Sequence, residues 1–296
     1  MLNLRDDNYK SLYDDKVTKE YAIEITRLKQ GEKISLLSDT MLKTMFQNDN
    51  RLKYSCKFLS YFLDISFESL MENIKLSKNE LDKNNDLDKG ERCDYVANIN
   101  DTSINIEVNN NSGVEVMERN MEYAHRLYAK KIKRGINKNY RYTQVIQFNL
   151  NNFAFVGNDK IVDIYTVQNN EGIRLNNKLI FVQIYVPNLR KKWYNYGIES
   201  LKEEEKYLLA LVEKDLSKLK ELGDDIIMKE YIEEAEEVSY DEKVGESYDK
   251  EWALKDEGRR ESREEIAISM IKRNMDITLI SEITGFSEEE INKLQD

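Results

Sequence analysis

Several common routes to chemistry are closed by what this chain of 296 residues lacks. Histidine occurs once, at His125. A metal centre with several histidines is therefore impossible within one chain, and any Ser-His-Asp or Cys-His mechanism would have to pass through that single ring. Cysteine occurs twice, at Cys56 and Cys93, both in apolar runs and neither with a partner at metal-ligand spacing. They read as buried thiols of a reducing compartment. Apolar runs are short, and none approaches the ~18 residues that a membrane span needs. The first residues, Met1 to Asp7, lack the basic-then-apolar order of a signal peptide, so a cytoplasmic protein with no membrane partner is expected. Proline occurs once, at Pro187. If the chain is an enzyme, carboxylates, lysines, arginines or tyrosines carry its chemistry.

Charge is plentiful, at 34% of residues, with a net value of −11. That balance argues at first against an anionic partner, but it is not evenly spread. Residues 224–257 hold 14 acids and 4 bases, which leaves 41 bases against 42 acids elsewhere. Residues 114–142 hold 8 bases and 3 acids. The acidity belongs mostly to one segment and does not exclude an anionic substrate at another.

The periodicity changes along the chain. Residues 1–33 are polar and helix-prone without a strong apolar face, and read as an N-terminal extension. Ser38 is placed to cap a helix carrying Met41, Leu42, Met45 and Phe46. A second helix follows, with Leu52, Cys56, Leu59 and Leu63 at helical spacing. Residues 74–91 are charged and loop-like. From Ile104 the period is two: Ile104, Ile106 and Val108 point one way, Asn105, Glu107 and Asn109 the other. Residues 114–134 return to a helical period, with Met117, Met121, Ala124 and Tyr128 on one side. Strand-like runs at 143–150, 161–166 and 178–186 come next, the last ended by Pro187. From about residue 200 the reading is helical. Residues 201–258 form a solvated acidic arm and 259–296 a small helical unit, whose last helix has a capping box, Ser287 with Glu290. No internal repeat or low-complexity tract is present. An α/β core around a mixed sheet follows from this order.

Residues 93–109, CDYVANINDTSINIEVN, carry the most specific signal. A turn centred between Asp101 and Thr102 would set Ile99 opposite Ile104, Val96 opposite Glu107 and Asp94 opposite Asn109. Cross-strand neighbours share a face, with Cβ atoms ~5 Å apart directly and ~7–8 Å diagonally. Asp94, Glu107 and Asn109 would then converge on one patch. Two carboxylates so placed can share one hard divalent cation, Mg²⁺ or Mn²⁺. The same alternation also fits the wet face of an ordinary hairpin, and a register shift of one residue would separate the group.

An acid on one strand, a hairpin, then acid-x-polar on the next resembles the PD-(D/E)XK nuclease signature, and within it the recombination-promoting nuclease/transposase family. SDTMLKTMF is similar to that family's opening D-x-x-x-K-x-x-F helix, and CDYVANI…INIEVN to its hairpin. ERNMEYAHRLYAKKIKRGINKNY is similar to its following helix. VIQFNLNNF and FVQIYVPNLRKK are similar to its later strands, and TLISEITGFSEEEINKL to its C-terminal unit. The likeness spans residues 34–296. It implies a restriction-endonuclease-like core over 34–200, a mixed β-sheet flanked by helices, followed by an all-helical C-terminal region. It further implies a Mg²⁺-dependent DNA endonuclease in which Asp94 and Glu107 ligate the metal and Asp39 is an accessory group. The signature expects lysine where this chain has Asn109. Arg119, on the next helix, is the replacement the resemblance suggests, with Asn109 hydrogen-bonding water or phosphate. The motif proline is also absent, since Cys93 precedes Asp94.

Arg119, Tyr123, Arg126 and Lys130 follow at helical spacing and could hold a phosphate backbone with Tyr123 stacking, or simply form a solvated face. His125 lies off this stripe and reads as an ordinary packed or surface histidine. Asp39 and Lys43 are also explained by an i,i+4 pair. The acidic last helix makes the tail a poor DNA reader and a better packing or self-association module. Three readings result: a DNA endonuclease, with a homodimer expected where both strands are cut; a catalytically impaired nuclease fold that binds nucleic acid or protein; and a helical assembly protein acting through residues 200–296.

Overall fold

The computed structural model describes residues 16–79, 92–130 and 143–294. Expectations for the rest, including the helix beyond Lys130, part of the charged segment 74–91 and much of the basic segment 114–142, lie outside the described residues. Two compact units divide the chain, Met1–Val244 and Gly245–Asp296.

The first unit is organised by a six-stranded sheet. In chain order, β1 is Val17–Thr18, α1 Asp39–Met45, α2 Leu52–Phe62, α3 Phe67–Asn73 and β2 Ile74–Leu76. They are followed by β3 Tyr95–Ile99, β4 Thr102–Asn109, α4 Val114–Lys130, β5 Gln144–Asn151, β6 Ala154–Phe155, β7 Val162–Thr166 and β8 Leu179–Tyr185. The strand order is β2-β3-β4-β5-β8-β7. Strands β4, β5 and β8 are parallel, and the flanking pairs are antiparallel. This is the mixed sheet flanked by helices of a restriction-endonuclease-like fold. The short strand β2 stands where only loop was expected, its three residues being too few to set a period. The β3–β4 register differs from expectation by two residues: Ile99 faces Thr102 and Ala97 faces Ile104. The turn is Asn100-Asp101, with Asn100 at φ 51°, a left-handed conformation that asparagine tolerates better than most residues. A shift of two keeps every side chain on its expected face.

The two faces of the central strands differ. Ile106, Phe148 and Val182 are in register on one face, and Phe148 meets Phe58 and Phe62 of α2 edge-on. The other face carries Glu107, Asn149 and Gln183 in register, under α4. The α4 stripe that packs there is Val116, Asn120, Tyr123, Ala124 and Leu127; Met121, expected on it, is exposed. Polar Asn120 lies on the buried side because the sheet face it meets is polar.

Helices α5 (Val186–Tyr196), α6 (Glu203–Val212), α7 (Leu216–Leu219) and α8 (Ile226–Ser239) complete the unit. Pro187 lies in the first turn of α5, where its missing N–H costs nothing. The acidic helix α8, expected as a solvated arm, is docked instead. It buries Met228, Tyr231, Ala235 and Val238, and acids on it and at its N-cap pair with bases on α2 and at the N-cap of α2: Arg51–Glu234 at 2.6 Å, Lys53–Glu230 at 2.7 Å and Lys57–Asp225 at 2.6 Å. The acidity of this stretch is thus partly answered by a sequence-distant basic helix.

Residues 16–33, expected as a polar extension, are packed as well. Ile23 and Ile25 are buried, and the Asn152 amide exchanges two hydrogen bonds of 2.7 Å with the Ile23 backbone. Ile23 and Ile25 flank the exposed Glu24 at a spacing of two, a run too short to announce their burial. Lys33 is fully buried; its ammonium donates to the Leu211 carbonyl at 3.2 Å and lies 5.5 Å from the Tyr231 ring centroid. Burial lowers its pKa to about 7, against the pull of Glu213. A lysine whose folded pKa lies below its unfolded value penalises folding in full below about pH 7, where the folded state must hold the buried charge, and stability recovers as pH rises from about 7 to 10. Lys33→Met is therefore expected to raise the free energy of unfolding by on the order of 2 kcal/mol near neutral pH, after allowing for the lost hydrogen bond. The gain should shrink by about pH 9.5 in denaturant titrations; a variant less stable than wild type at neutral pH would contradict this account.

Helix α9 (Glu242–Lys272) starts at the end of the first unit, and α10 (Ile277–Thr284) and α11 (Glu288–Lys293) belong to the second. Ala267, Met270, Ile280, Phe286 and Ile291 form the second unit's core. The Ser287–Glu290 capping box is formed. Among the described residues no helix is long and apolar enough to cross a membrane.

Candidate active site

The β3–β4 ladder, continued one residue past Tyr95 and Ile106, brings Asp94 opposite Glu107. The two residues exchange hydrogen bonds. The Asp94 N–H donates to Glu107 Oε1 at 3.2 Å, and the Val108 N–H donates to Asp94 Oδ2 at 3.0 Å. Each carboxylate thus uses one oxygen on backbone. Asp94 Oδ1 and Glu107 Oε2 accept no hydrogen bond among the described residues. Glu107 is 2% exposed and Asp94 half-buried. Burial, with repulsion from Asp39, raises the Asp94 carboxyl to about 6, while the Val108 N–H, Lys43 and Arg119 pull it down. Burial and then Asp94 push Glu107 well above the usual carboxylate range, against Asn105, the Asp94 N–H and Arg119. Two acids so placed repel when both are ionised.

This repulsion has a measurable sign. An acid whose folded pKa lies above its unfolded value destabilises the fold at high pH, and the penalty is relieved as pH falls through the folded pKa. Metal-free protein is expected to gain on the order of 2 kcal/mol relative to Asp94→Asn between about pH 7.5 and pH 4.5. Denaturant titrations in chelator at the two pH values check it; parallel behaviour of the two proteins would contradict it.

Around the pair, Asp39 stands at the start of α1, capped by Ser38, close enough to act on Asp94. Lys43 comes one turn later and is exposed. Arg119 is exposed on α4, acts on both carboxylates and lies over Tyr123, 5.9 Å from the ring centroid. The structure thus brings Asp39, Asp94, Glu107 and Arg119 together.

Two expectations need correction. Asn109 is 1% exposed and turned into the protein: its Nδ2 donates to Asn151 Oδ1 at 2.9 Å, and its Oδ1 accepts from Asn120 Nδ2 at 3.1 Å and faces Arg119 at 3.5 Å. Contact with water or phosphate is not available to it. Tyr123 is buried in a cluster with Cys93, Val96, Ala124, Leu127 and Val145, so it cannot stack on a base. Arg126 is tied to Glu122 at 2.7 Å. Tyr123 therefore drops out of the expected stripe; the sheet below turns α4 so that this ring faces inward. Lys130 is the last residue of α4, and its side chain lies outside the described residues. His125 is exposed, with Nδ1 2.6 Å from the Met121 carbonyl.

Sequence reasoning missed the buried amides beside Glu107: Asn105, Asn120, Gln147, Asn149, Asn151 and Gln183. A signal existed, since QFNLN repeats the polar period of NIEVN on the next strand. Among the described residues no group of three or more His, Cys, Asp or Glu is arranged to hold a metal. The Asp94–Glu107 pair nevertheless fits a hard divalent ion, which can be held by one or two carboxylates plus substrate and water oxygens. Its donors are oxygens, two of them are left without partners, and the repulsion between the acids would be relieved by positive charge.

A family model described as PD-(D/E)XK nuclease family transposase matches residues 36–259. No curated protein and no solved structure matches the chain.

Proposed function

Because this chain belongs to the PD-(D/E)XK nuclease family transposases, we propose that it is a metal-dependent DNA endonuclease that hydrolyses phosphodiesters in the cytoplasm with Mg²⁺ or Mn²⁺. The observation that carries this reading is the pair of mutually repelling carboxylates, Asp94 and Glu107, each with one oxygen held by a backbone N–H and one left over. A bound divalent ion supplies Lewis acidity to the phosphate and lowers the pKa of water. The chain's own residues do the rest. Asp94 and Glu107 would hold the ion through the oxygens left over, and the Asp94 and Val108 N–H groups fix the orientation of the two carboxylates. The exposed Arg119 guanidinium supplies the positive charge that Asn109 lacks and meets the phosphate oxygens, a bidentate geometry it suits. Asn109 acts from beneath, with Oδ1 toward Arg119. Asp39 acts as an outer charge that keeps Asp94 in need of a cation.

A second reading, a nuclease fold that binds DNA without cutting it, is favoured by the asparagine at the motif lysine position and by its burial. Plasmid nicking in Mg²⁺, Mn²⁺ and chelator separates the two. Metal-dependent nicking by the wild type supports the endonuclease. DNA binding by fluorescence anisotropy without nicking in either ion supports the binder.

A further inference from the structure

The buried amides next to Glu107 form a chain with one direction. Asn105 Nδ2 donates to Glu107 Oε1 at 3.0 Å and to Gln147 Oε1 at 2.7 Å. Gln147 Nε2 donates to Asn149 Oδ1 at 3.0 Å. Asn105 and Gln147 have no exposed surface, and Asn149 has 1%. An amide nitrogen carries two hydrogens and its oxygen none. Both Asn105 hydrogens are used, one on the carboxylate and one on Gln147. Turning Gln147 over would set nitrogen against nitrogen at Asn105 and oxygen against oxygen at Asn149. The orientation of Asn105 therefore depends on Gln147, one strand away in register.

A second chain on the same face, Asn109 to Asn151 to Gln183, has bonds of 2.9 and 2.8 Å and does not include Glu107. Hydrogen bonds linked in series in a dry environment strengthen one another. Groups behind a metal ligand set its orientation and affinity.

We propose that Gln147 is a positioning residue: through Asn105 it pins Glu107 Oε1 and leaves Oε2 as the atom offered to a divalent ion. This rests on the metal-binding reading of the Asp94–Glu107 pair. A merely structural role, stitching a buried polar face, would be shared equally by Gln183.

The test is Mn²⁺ binding to the full chain, followed by electron paramagnetic resonance, for wild type, Gln147→Met and Gln183→Met. Gln147→Met is expected to weaken binding by about 10–100-fold, with Gln183→Met within about twofold of wild type. Wild-type affinity in Gln147→Met, or equal weakening in both variants, overturns the inference. A second measurement needs neither metal nor a folded variant: hydrogen exchange of the Asn105 side-chain amide in metal-free wild type. Slow exchange supports the chain, and exchange as fast as an exposed amide overturns it. Wild-type protein that binds no Mn²⁺ defeats the proposed function and the inference with it, whereas wild-type binding with unchanged affinity in Gln147→Met overturns the inference alone.

Discussion

Asp94→Ala is expected to cut plasmid nicking in Mg²⁺ or Mn²⁺ by on the order of 10³-fold or more. Lewis-acid stabilisation of a phosphoryl transition state is worth several kcal/mol, and each ~1.4 kcal/mol is tenfold in rate. The loss should not come from misfolding. Asp94 is the neighbour that repels Glu107 most after burial itself, so its removal lets Glu107 titrate closer to the ordinary carboxylate range. The metal-free variant should be at least as stable as wild type near pH 7.5, apart from the hydrogen bond lost at Val108. Activity lost with stability kept is the signature of a site. Equal nicking by wild type and variant would remove Asp94 from the chemistry.

The second large effect is expected at Arg119. Removing a positive group aimed at transition-state charge typically costs about 10²–10³ in turnover, and Arg119→Ala should fall in that range with Mn²⁺ binding retained. Arg119→Lys should recover only part, because lysine offers a point charge where the planar guanidinium offers paired donors. Lys43 is the other cation that acts on Asp94, but it does so from an exposed position on α1. Lys43→Ala should cost on the order of tenfold at most, as screened surface charges do. Turnover in Arg119→Ala within a few-fold of wild type, with Lys43→Ala far slower, would reassign the missing lysine's role to Lys43.

The fold and the site were legible to different depths, for physical reasons. Alternation in INIEVN and the capping at Ser38 and Ser287 announced elements that are present, because these signals are local. The face shared by Asp94 and Glu107 was readable although the register was two residues off, since side-chain direction depends only on parity. Burial was harder. Asn109 and Tyr123 look like surface groups in sequence, yet the sheet and α4 close over them. Whether a polar strand face meets water or a helix is a property of the partner element. The same holds for α8, whose acids find Arg51, Lys53 and Lys57 nearly two hundred positions away in sequence. Ile23 and Ile25 alternate with Glu24 over too few residues to betray their burial.

Asp94 and Glu107 are expected to hold a divalent ion together. Crystals of the full chain grown with Mn²⁺ and measured for its anomalous scattering test it most directly. A peak is expected between Asp94 Oδ1 and Glu107 Oε2, at about 2.0–2.2 Å from each as for a small divalent ion, and none in Asp94→Ala. Saturating Mn²⁺ that leaves this position empty, or a peak that persists without Asp94, would contradict it.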